Sequence, residues 1–269
     1  MEETQPAVTR IACVGDIHVQ ETDKGKWGQY FKEASAAADI LMLCGDLTDT
    51  GHLVEAEILA EELKSCTIPV VAVLGNHDYE RGEQRQIKKI LEQAGVHVLD
   101  GEAVVINNIG FAGVKGFGGG FDRFMLSMFG EKMFKDFVQE AVDESLKLDR
   151  ALSHLEGNYG EIPKIVVLHY APIQATIKGE PAEIFPFMGS SRLVEPINRR
   201  QVVAAFHGHA HMGTFEGKTS AGVSVFNVAK PILHRAGLPG FFIFEVGNTP
   251  EMPPPPQPGS LTETLFFAA

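Results

Sequence analysis

Short apolar runs that end at a polar residue constrain the fold of this chain more than any other feature. Ile40–Cys44 runs directly into a Gly-Asp pair, and the apolar residues 70–74 run into a Gly-Asn pair. Apolar runs of this length are typical of buried strands in a parallel sheet. The carboxyl ends of parallel strands meet at one edge of the sheet, so we expect the polar residues behind these runs to meet at one site.

The first part of the chain alternates predicted strands with predicted helices. The segment 52–65 places Leu53, Ile58, Leu59 and Leu63 roughly on one stripe, as an amphipathic helix does. Such alternation indicates βαβ units and a largely parallel sheet. The predicted strands cover residues 10–15, 40–44 and 70–74, and the predicted helices cover residues 27–38, 52–65 and 83–94.

The second part of the chain has shorter and more interrupted elements. Residues 116–121 are too rich in glycine for the interior of an element and are predicted to form a flexible loop. Residues 131–156 have strong helical periodicity and mixed charge, which we interpret as an inserted helical segment. Residues 174–200 contain several prolines and predict a long loop with one short helix. Further strands are predicted over residues 96–99, 103–106, 109–114, 165–168, 202–206, 222–228 and 240–246.

The charge of the chain narrows the classes of partner that it can bind. The formal net charge is −12, and a strongly acidic surface repels the phosphate backbone of nucleic acid. The charge therefore disfavours nucleic acid as a partner. A small phosphate ester remains compatible with this charge, because two divalent ions in one cleft would reverse the local field.

Cysteine content and hydropathy favour a cytoplasmic location. The three cysteines, Cys13, Cys44 and Cys66, form no CxxC pair and lie in or beside apolar segments, as buried reduced thiols do. The longest apolar runs are far too short to cross a bilayer, so we expect no membrane association. The acidic start of the chain has no apolar h-region, and we expect no signal peptide.

Residues whose side chains can bind metal ions follow the predicted strands in the sequence. Carboxylate, imidazole and amide donors suit divalent transition metals when thiolates are absent. Alternate residues of an extended segment face the same side, so two ligands one residue apart can bind one ion. A carboxylate has two oxygens and can bridge two ions, so the set would complete two shells with positions open for water and substrate. The predicted ligands are Asp16, His18, Asp46, Asn76, His169, His209 and His211.

The order of these motifs resembles the calcineurin-like metallophosphoesterase family. The chain contains D-x-H at 16–18, GD at 45–46, GNHD at 75–78, a histidine at 169 and GHxH at 208–211. One such motif is weak support for the resemblance, whereas five motifs in this order across most of the chain are specific for the family. The resemblance implies an α/β fold, a four-layer α/β/β/α sandwich of two mixed β-sheets flanked by helices, with a dinuclear site at the strand ends.

The resemblance also implies a role for each site residue. One metal ion would be held by Asp16, His18, Asp46 and His211. The other would be held by Asp46 as a bridge and by Asn76, His169 and His209. His77 would contact the phosphoryl oxygen or protonate the leaving alkoxide, with Asp78 orienting its ring.

The reaction implied is hydrolysis of a phosphoester by a hydroxide that bridges the two metal ions. The donor set suits Mn, Fe or Zn alike. The substrate would be a small-molecule phosphoester, which makes the protein a phosphodiesterase or a phosphatase. The alternatives are a nuclease acting on nucleic-acid ends and a non-catalytic metal-binding scaffold. The acidic charge disfavours the first, and the complete set of ligands together with His77 disfavours the second.

Two features near the motifs have more than one interpretation. His207 makes a third histidine at alternate positions with His209 and His211, and we interpret it as a residue beneath the site. The rival interpretation is a motif shifted by two residues. The aromatic residues between Phe117 and Phe137 could form a substrate lid or a core; we expect most of them to lie in a core, with the glycine loop as a hinge.

The sequence predicts one catalytic domain followed by a tail. The metallophosphoesterase domain is predicted over residues 1–247, with the glycine-rich loop and the helical insertion at about 116–160. Residues 248–269 form a proline-rich C-terminal tail, in which four consecutive prolines favour polyproline II. The physiological substrate and the oligomeric state are left open.

Overall fold

Two mixed β-sheets form the centre of the protein, for which a computed structural model describes residues 8–247. In the first sheet the strand order is β11-β1-β2-β3-β4, with β11 antiparallel to β1 and the other neighbours parallel. Its strands are β1 (Val8–Val14), β2 (Ile40–Cys44), β3 (Val70–Val73), β4 (Val96–Val98) and β11 (Phe242–Gly247).

The second sheet has the order β5-β6-β7-β8-β10-β9. Its four central strands are parallel, and the edge strands β5 and β9 are antiparallel to their neighbours. β9 was not predicted, because its three residues, Glu-Gly-Lys, carry no apolar alternation. The strands are β5 (Ala103–Ile106), β6 (Ile109–Gly113), β7 (Lys164–Val167), β8 (Val202–His207), β9 (Glu216–Lys218) and β10 (Ser224–Asn227).

Helices flank both sheets, which confirms the predicted fold. α1, α2 and α3 connect the parallel strands of the first sheet. The C-terminal half of α4 packs on the second sheet, where Leu148, Leu152 and Leu155 are buried against Val166 and Val202. The segment predicted as an insertion therefore supplies much of that outer layer. The helices are α1 (Gly28–Ala37), α2 (Leu53–Glu62), α3 (Gln84–Gln93), α4 (Lys132–Tyr159), α5 (Phe185–Met188), α6 (Val194–Arg199) and α7 (Lys230–Arg235).

The segment 174–200 is more helical than the sequence predicts. It contains α5, α6 and three 3-10 turns at 174–177, 182–184 and 191–193. Its prolines suggested a loop, but Pro186 lies in the first turn of α5. Proline is tolerated there because its missing N–H has no intrahelical partner. α7 was not predicted for the same reason, because Pro231 lies in its first turn.

The main hydrophobic core lies between the two sheets. Leu43 and Val73 of the first sheet belong to the same buried cluster as Phe111, Val167 and Phe206 of the second. Burial of this apolar area from both sides stabilises the strands and fixes where their polar ends emerge.

The stretch from Phe117 to Phe137 is only partly a core. Phe121 is buried, but Phe124 and Phe129 are 70% and 58% exposed, so the expectation of a core is wrong for these two rings. The glycine loop within this stretch is hydrogen-bonded to the α5 region: the Gly119 and Gly120 amides donate to the carbonyls of Pro186 and Gly189.

No helix within residues 8–247 has the length and apolar character needed to cross a bilayer. The tail predicted over residues 248–269 lies outside the described residues, and the boundary between domain and tail stays a prediction.

Candidate metal centre

The predicted ligands emerge from the C-terminal ends of parallel strands in both sheets. β1 leads to Asp16 and His18, β2 to Asp46, and β3 to Asn76. β7 leads to His169, and β8 leads to the histidines at 209 and 211. The loops after β1 and β2 are hydrogen-bonded to each other: the amides of Asp16 and His18 donate to the carbonyls of Gly45 and Asp46 at 3.0 and 3.1 Å.

Four of these ligands have left-handed backbone conformations. The φ angles of Asp16, His18, Asp46 and His209 are 59°, 45°, 48° and 67°. Such conformations are uncommon for residues other than glycine and cost about 1–3 kcal/mol each. Their concentration at one site is typical of a functional site whose side chains the backbone must aim at one point.

Glycines beside the ligands are required by close packing. A Cβ atom at Gly75 would lie 2.2 Å from Asp46 Oδ1, and one at Gly208 would lie 2.2 Å from Asp16 Oδ2. The glycines of the GNHD and GHxH motifs therefore leave room for carboxylates that other strands supply.

Asp16, His18 and His211 form one group of possible metal ligands, which we call the open group. One donor atom of each lies within 4.8 Å of the others. His211 Nε2 lies 2.8 Å from Asp16 Oδ1. Both ring nitrogens of His18 are buried, and neither has a hydrogen-bond partner. Buried polar atoms are rarely left unpaired, so the His18 ring fits a metal ligand.

Asp46, His169 and His209 form a second group with the same spacing, which we call the buried group. His169 Nδ1 lies 3.0 Å from the Cys44 carbonyl, which can only accept, so Nδ1 carries the proton. His169 Nε2 then presents a lone pair at 2.9 Å from Asn76 Oδ1 and 3.3 Å from Asp46 Oδ1. Of these three atoms Asp46 Oδ1 also accepts from the His77 amide at 2.9 Å, and their convergence is an arrangement that a cation would satisfy.

Protonation of His169 does not supply the missing positive charge. Burial lowers the pKa of His169 well below its ordinary value and lowers the pKa of His209 to about 3. Burial, followed by the charges of Asp16 and Asp78, raises the pKa of Asp46. A bound metal ion would reverse the effect on Asp46 and hold its carboxylate in the charged form.

Asp46 lies between the two groups. Its Oδ1 faces His169 of the buried group, and its Oδ2 lies 3.8 Å from His18 Nε2 of the open group. The two oxygens of one carboxylate thus face different donor groups, the arrangement that a bridging ligand needs.

His77 lies beside this centre, but Asp78 does not orient its ring as expected. His77 Nδ1 lies 2.6 Å from the Asp49 carbonyl, which takes that role. The Asp78 carboxylate accepts hydrogen bonds from the amides of Leu47, Thr48 and Gly75 at 3.2, 2.8 and 2.7 Å. Asp78 therefore ties the loop after β2 to the loop after β3.

Asp49 is the site residue that the motif analysis missed. Its carboxylate forms a third possible ligand group with His18 and His77, with Oδ1 3.4 Å from His18 Nδ1. The available signal was a second aspartate three residues after Asp46 in the sequence Gly-Asp-Leu-Thr-Asp.

His207 lies beneath the site, in agreement with our interpretation. It is fully buried, with Nε2 2.7 Å from Thr176 Oγ1 and Nδ1 2.8 Å from the Gly208 carbonyl. Burial lowers its pKa to about 4. Both ring nitrogens of His207 thus have partners, whereas His209 and His211 belong to the two groups of possible metal ligands.

Sequence and structure comparisons agree with this geometry. The profile of the calcineurin-like phosphoesterase family matches residues 9–213, a range that contains every predicted ligand. An uncharacterized metallophosphoesterase from Aquifex aeolicus (strain VF5) is 43% identical over 72 residues. That alignment covers 26% of this chain and spans only about a quarter (27%) of the relative's length.

Solved structures with the same fold span nearly the whole chain. Phosphopantetheinyl hydrolase (PptH) from Mycobacterium tuberculosis aligns with a TM-score of 0.62 at 14% identity, covering 91% of this chain and 98% of that chain. TT1561 of Thermus thermophilus aligns with a TM-score of 0.54 at 14% identity, covering 90% and 99% of the two chains. At such identities the likeness shows the fold alone.

Proposed function

Because the chain belongs to the calcineurin-like phosphoesterase family, we propose that it hydrolyses a small-molecule phosphoester at a dinuclear metal centre. Family membership supports a metal-dependent hydrolase of ester bonds. The observation that carries the proposal is the convergence of ligand atoms from Asn76, His169 and Asp46 beside a second donor group. The net charge of −12 favours a small phosphoester over nucleic acid as the substrate.

The proposed ligands divide between the two groups, with Asp46 common to both. When bound, two ions would supply a bridging hydroxide nucleophile and offset the negative charge of the phosphoryl group. Mn, Fe and Zn all suit these donors. One ion would be held by Asp16, His18, Asp46 and His211, and the other by Asp46, Asn76, His169 and His209.

His77 is the proposed proton donor to the leaving group. Since the Asp49 carbonyl accepts from Nδ1, Nε2 is the nitrogen available to the substrate. Nε2 lies 3.9 Å from Asp46 Oδ2, at the edge of the centre, and the ring is one-third exposed. A protonated His77 would therefore donate from Nε2 to the leaving alkoxide without having to bind a metal.

Asp78 supports the centre from outside it. Its hydrogen bonds to Thr48 and Gly75 hold together the loops that carry Asp46 and Asn76. We propose that Asp78 acts by positioning these two ligands, one from each loop.

Metal analysis paired with an activity assay tests the proposal. Protein purified without chelator would be analysed for metal and assayed on bis-p-nitrophenyl phosphate and p-nitrophenyl phosphate with added Mn²⁺. We expect close to two metals per chain and hydrolysis that a chelator abolishes. The variant His97→Ala should match the wild type in metal content and activity, because this exposed histidine on β4 lies outside the centre.

Each outcome of this experiment is informative. Chelator-sensitive hydrolysis would support the enzyme, and the ratio of diester to monoester activity would show which ester it prefers. Absence of bound metal under every loading condition would overturn the proposal. Two bound metals without hydrolysis of either ester would instead favour the metal-binding scaffold.

A further inference from the structure

A cavity of about 580 Å³ opens beside the open group of the candidate metal centre. Asp16 and His18 line one side of it. The other side is formed by α7, which contributes the basic side chains of Lys230, His234 and Arg235. We call these three residues and the space they line the α7 subsite. It places cations next to the site of the proposed reaction in a chain whose net charge is −12.

Lys230 is held at the β1 side of the cavity. Its amide donates to the carbonyl of Gly15, directly before Asp16, at 3.0 Å. Its Nζ lies 4.3 Å from the centre of the Trp27 ring, a cation–π distance. The ammonium group is thus positioned by an aromatic face and keeps its hydrogen-bond donors for a ligand.

Arg235 is held at the other side, close to His211. Its Nη2 donates to the carbonyl of Gly213 at 3.4 Å, two residues after that histidine. Lys230 and Arg235 therefore flank the open group.

Neither cation is neutralised by a carboxylate contact. Within residues 8–247, the side chains of Lys230 and Arg235 contact the Trp27 ring and the Gly213 carbonyl, and neither forms an ion pair. The nearby charge of Asp23 only partly opposes the lowering of the Lys230 pKa by burial. Guanidinium and ammonium groups without a carboxylate partner bind phosphate or carboxylate through charge-assisted hydrogen bonds.

We propose that the α7 subsite binds a second anionic group of the substrate while the scissile phosphoester lies at the metal centre. The substrate class is then a phosphoester that carries another phosphate or a carboxylate close to the reacting group. This inference rests on the proposed function and adds a specificity determinant to it.

Inhibition by matched alkyl phosphates tests the subsite. The probes are propyl phosphate, propanediol bisphosphate and hexanediol bisphosphate, each competing with hydrolysis of bis-p-nitrophenyl phosphate by the metal-loaded protein. In the wild type we expect a bisphosphate to inhibit at least about tenfold more tightly than the monophosphate, the scale of one charge-assisted contact. In Lys230→Met/Arg235→Met the preference should fall to about twofold, the statistical factor for two equivalent phosphates.

A charge-matched variant separates a local contact from the overall field. Lys89→Met/Arg150→Met removes two exposed cations from α3 and α4, away from the cavity. We expect it to keep the bisphosphate preference. An equal loss in both double variants, or a wild type without any preference, would overturn the α7 subsite.

Tryptophan fluorescence gives a readout that does not depend on turnover. Trp27 is the only tryptophan of the chain, and Lys230 lies over its ring. An anion that draws the ammonium away should change the emission, and Lys230→Met should abolish the response to bisphosphate. An unchanged response in that variant would count against the subsite. If the wild type fails to hydrolyse bis-p-nitrophenyl phosphate, the proposed function fails, and the fluorescence titration still decides whether the anion binds here.

Discussion

The buried and the open group contain similar ligands in different surroundings. The side chains of His169 and Asp46 in the buried group are 0% and 2% exposed. In the open group the Asp16 side chain is also buried, but the two histidines, His18 and His211, are 21% and 43% exposed. Two sites built from the same chemical types can thus differ in access to solvent, protons and exchanging metal ions.

The difference in burial changes how protons compete with metal. Burial lowers the pKa of His169 and of His209, so their nitrogens stay free well below neutral pH. The hydrogen bond to Asp16 raises the pKa of His211 instead. Burial lowers the pKa of His18 too, so among the histidine ligands protons compete with metal first at His211 of the open group. We therefore expect the histidines of the buried group to hold an ion more tightly.

Replacement of the Asp46 carboxylate, which both groups share, should release metal from both groups alike. Asp46→Asn keeps the size of the side chain but removes its charge. We expect loss of metal from both groups and a fall in turnover of at least roughly 10³-fold, as seen when several catalytic elements depend on one group. Elemental analysis and steady-state rates would measure this, with Asp39→Asn as a surface control. Two retained metals and nearly normal turnover would show that the groups do not share Asp46.

Single histidine substitutions should separate the groups. His169→Ala removes a ligand from the buried group, and His211→Ala removes one from the open group. Loss of either should reduce activity by about 10²-fold at limiting metal. Excess Mn²⁺ should restore His211→Ala, because its site exchanges with solvent, and should fail to restore His169→Ala. Metal titrations of activity would show this, and equal rescue of both variants would contradict the comparison.

His77 lies at the edge of both groups and should affect chemistry without affecting metal content. His77→Ala is expected to retain both ions. It should slow esters with poor leaving groups by about 10²-fold and activated p-nitrophenyl esters much less, since only the former need a proton donor. Rates across a series of leaving groups would test this. Equal slowing of every ester would indicate phosphoryl contact in place of proton donation.

Acidification should release metal in a defined order, the smallest of the four effects. A raised pKa means that His211 takes up its proton at a higher pH than the other histidine ligands, so the open group should lose metal first as the pH falls. The lowered pKa values of His169 and His209 should keep the buried group loaded to lower pH. Metal content after dialysis at a series of pH values would measure this. Simultaneous loss of both ions would contradict it.

The regular part of the fold was predictable because local patterns encode it. Ile40–Cys44 forms a strand with the predicted bounds, and the helices predicted at 52–65 and 83–94 are α2 and α3 with shortened ends. Apolar periodicity is a property of neighbouring residues, so it survives in the sequence. α7 escaped detection because it is short and begins with a proline.

The sequence by itself determined the donor chemistry of the centre. The residue types of the ligands, their order and their places after apolar runs follow from the chain alone, since each motif is local. Only the tertiary structure decided which loops Asp78 joins, that the Asp49 carbonyl holds His77, and that α7 faces Asp16 across a cavity. These relations depend on contacts between residues about 30 to more than 200 positions apart, which packing of the two sheets brings together and no local pattern records.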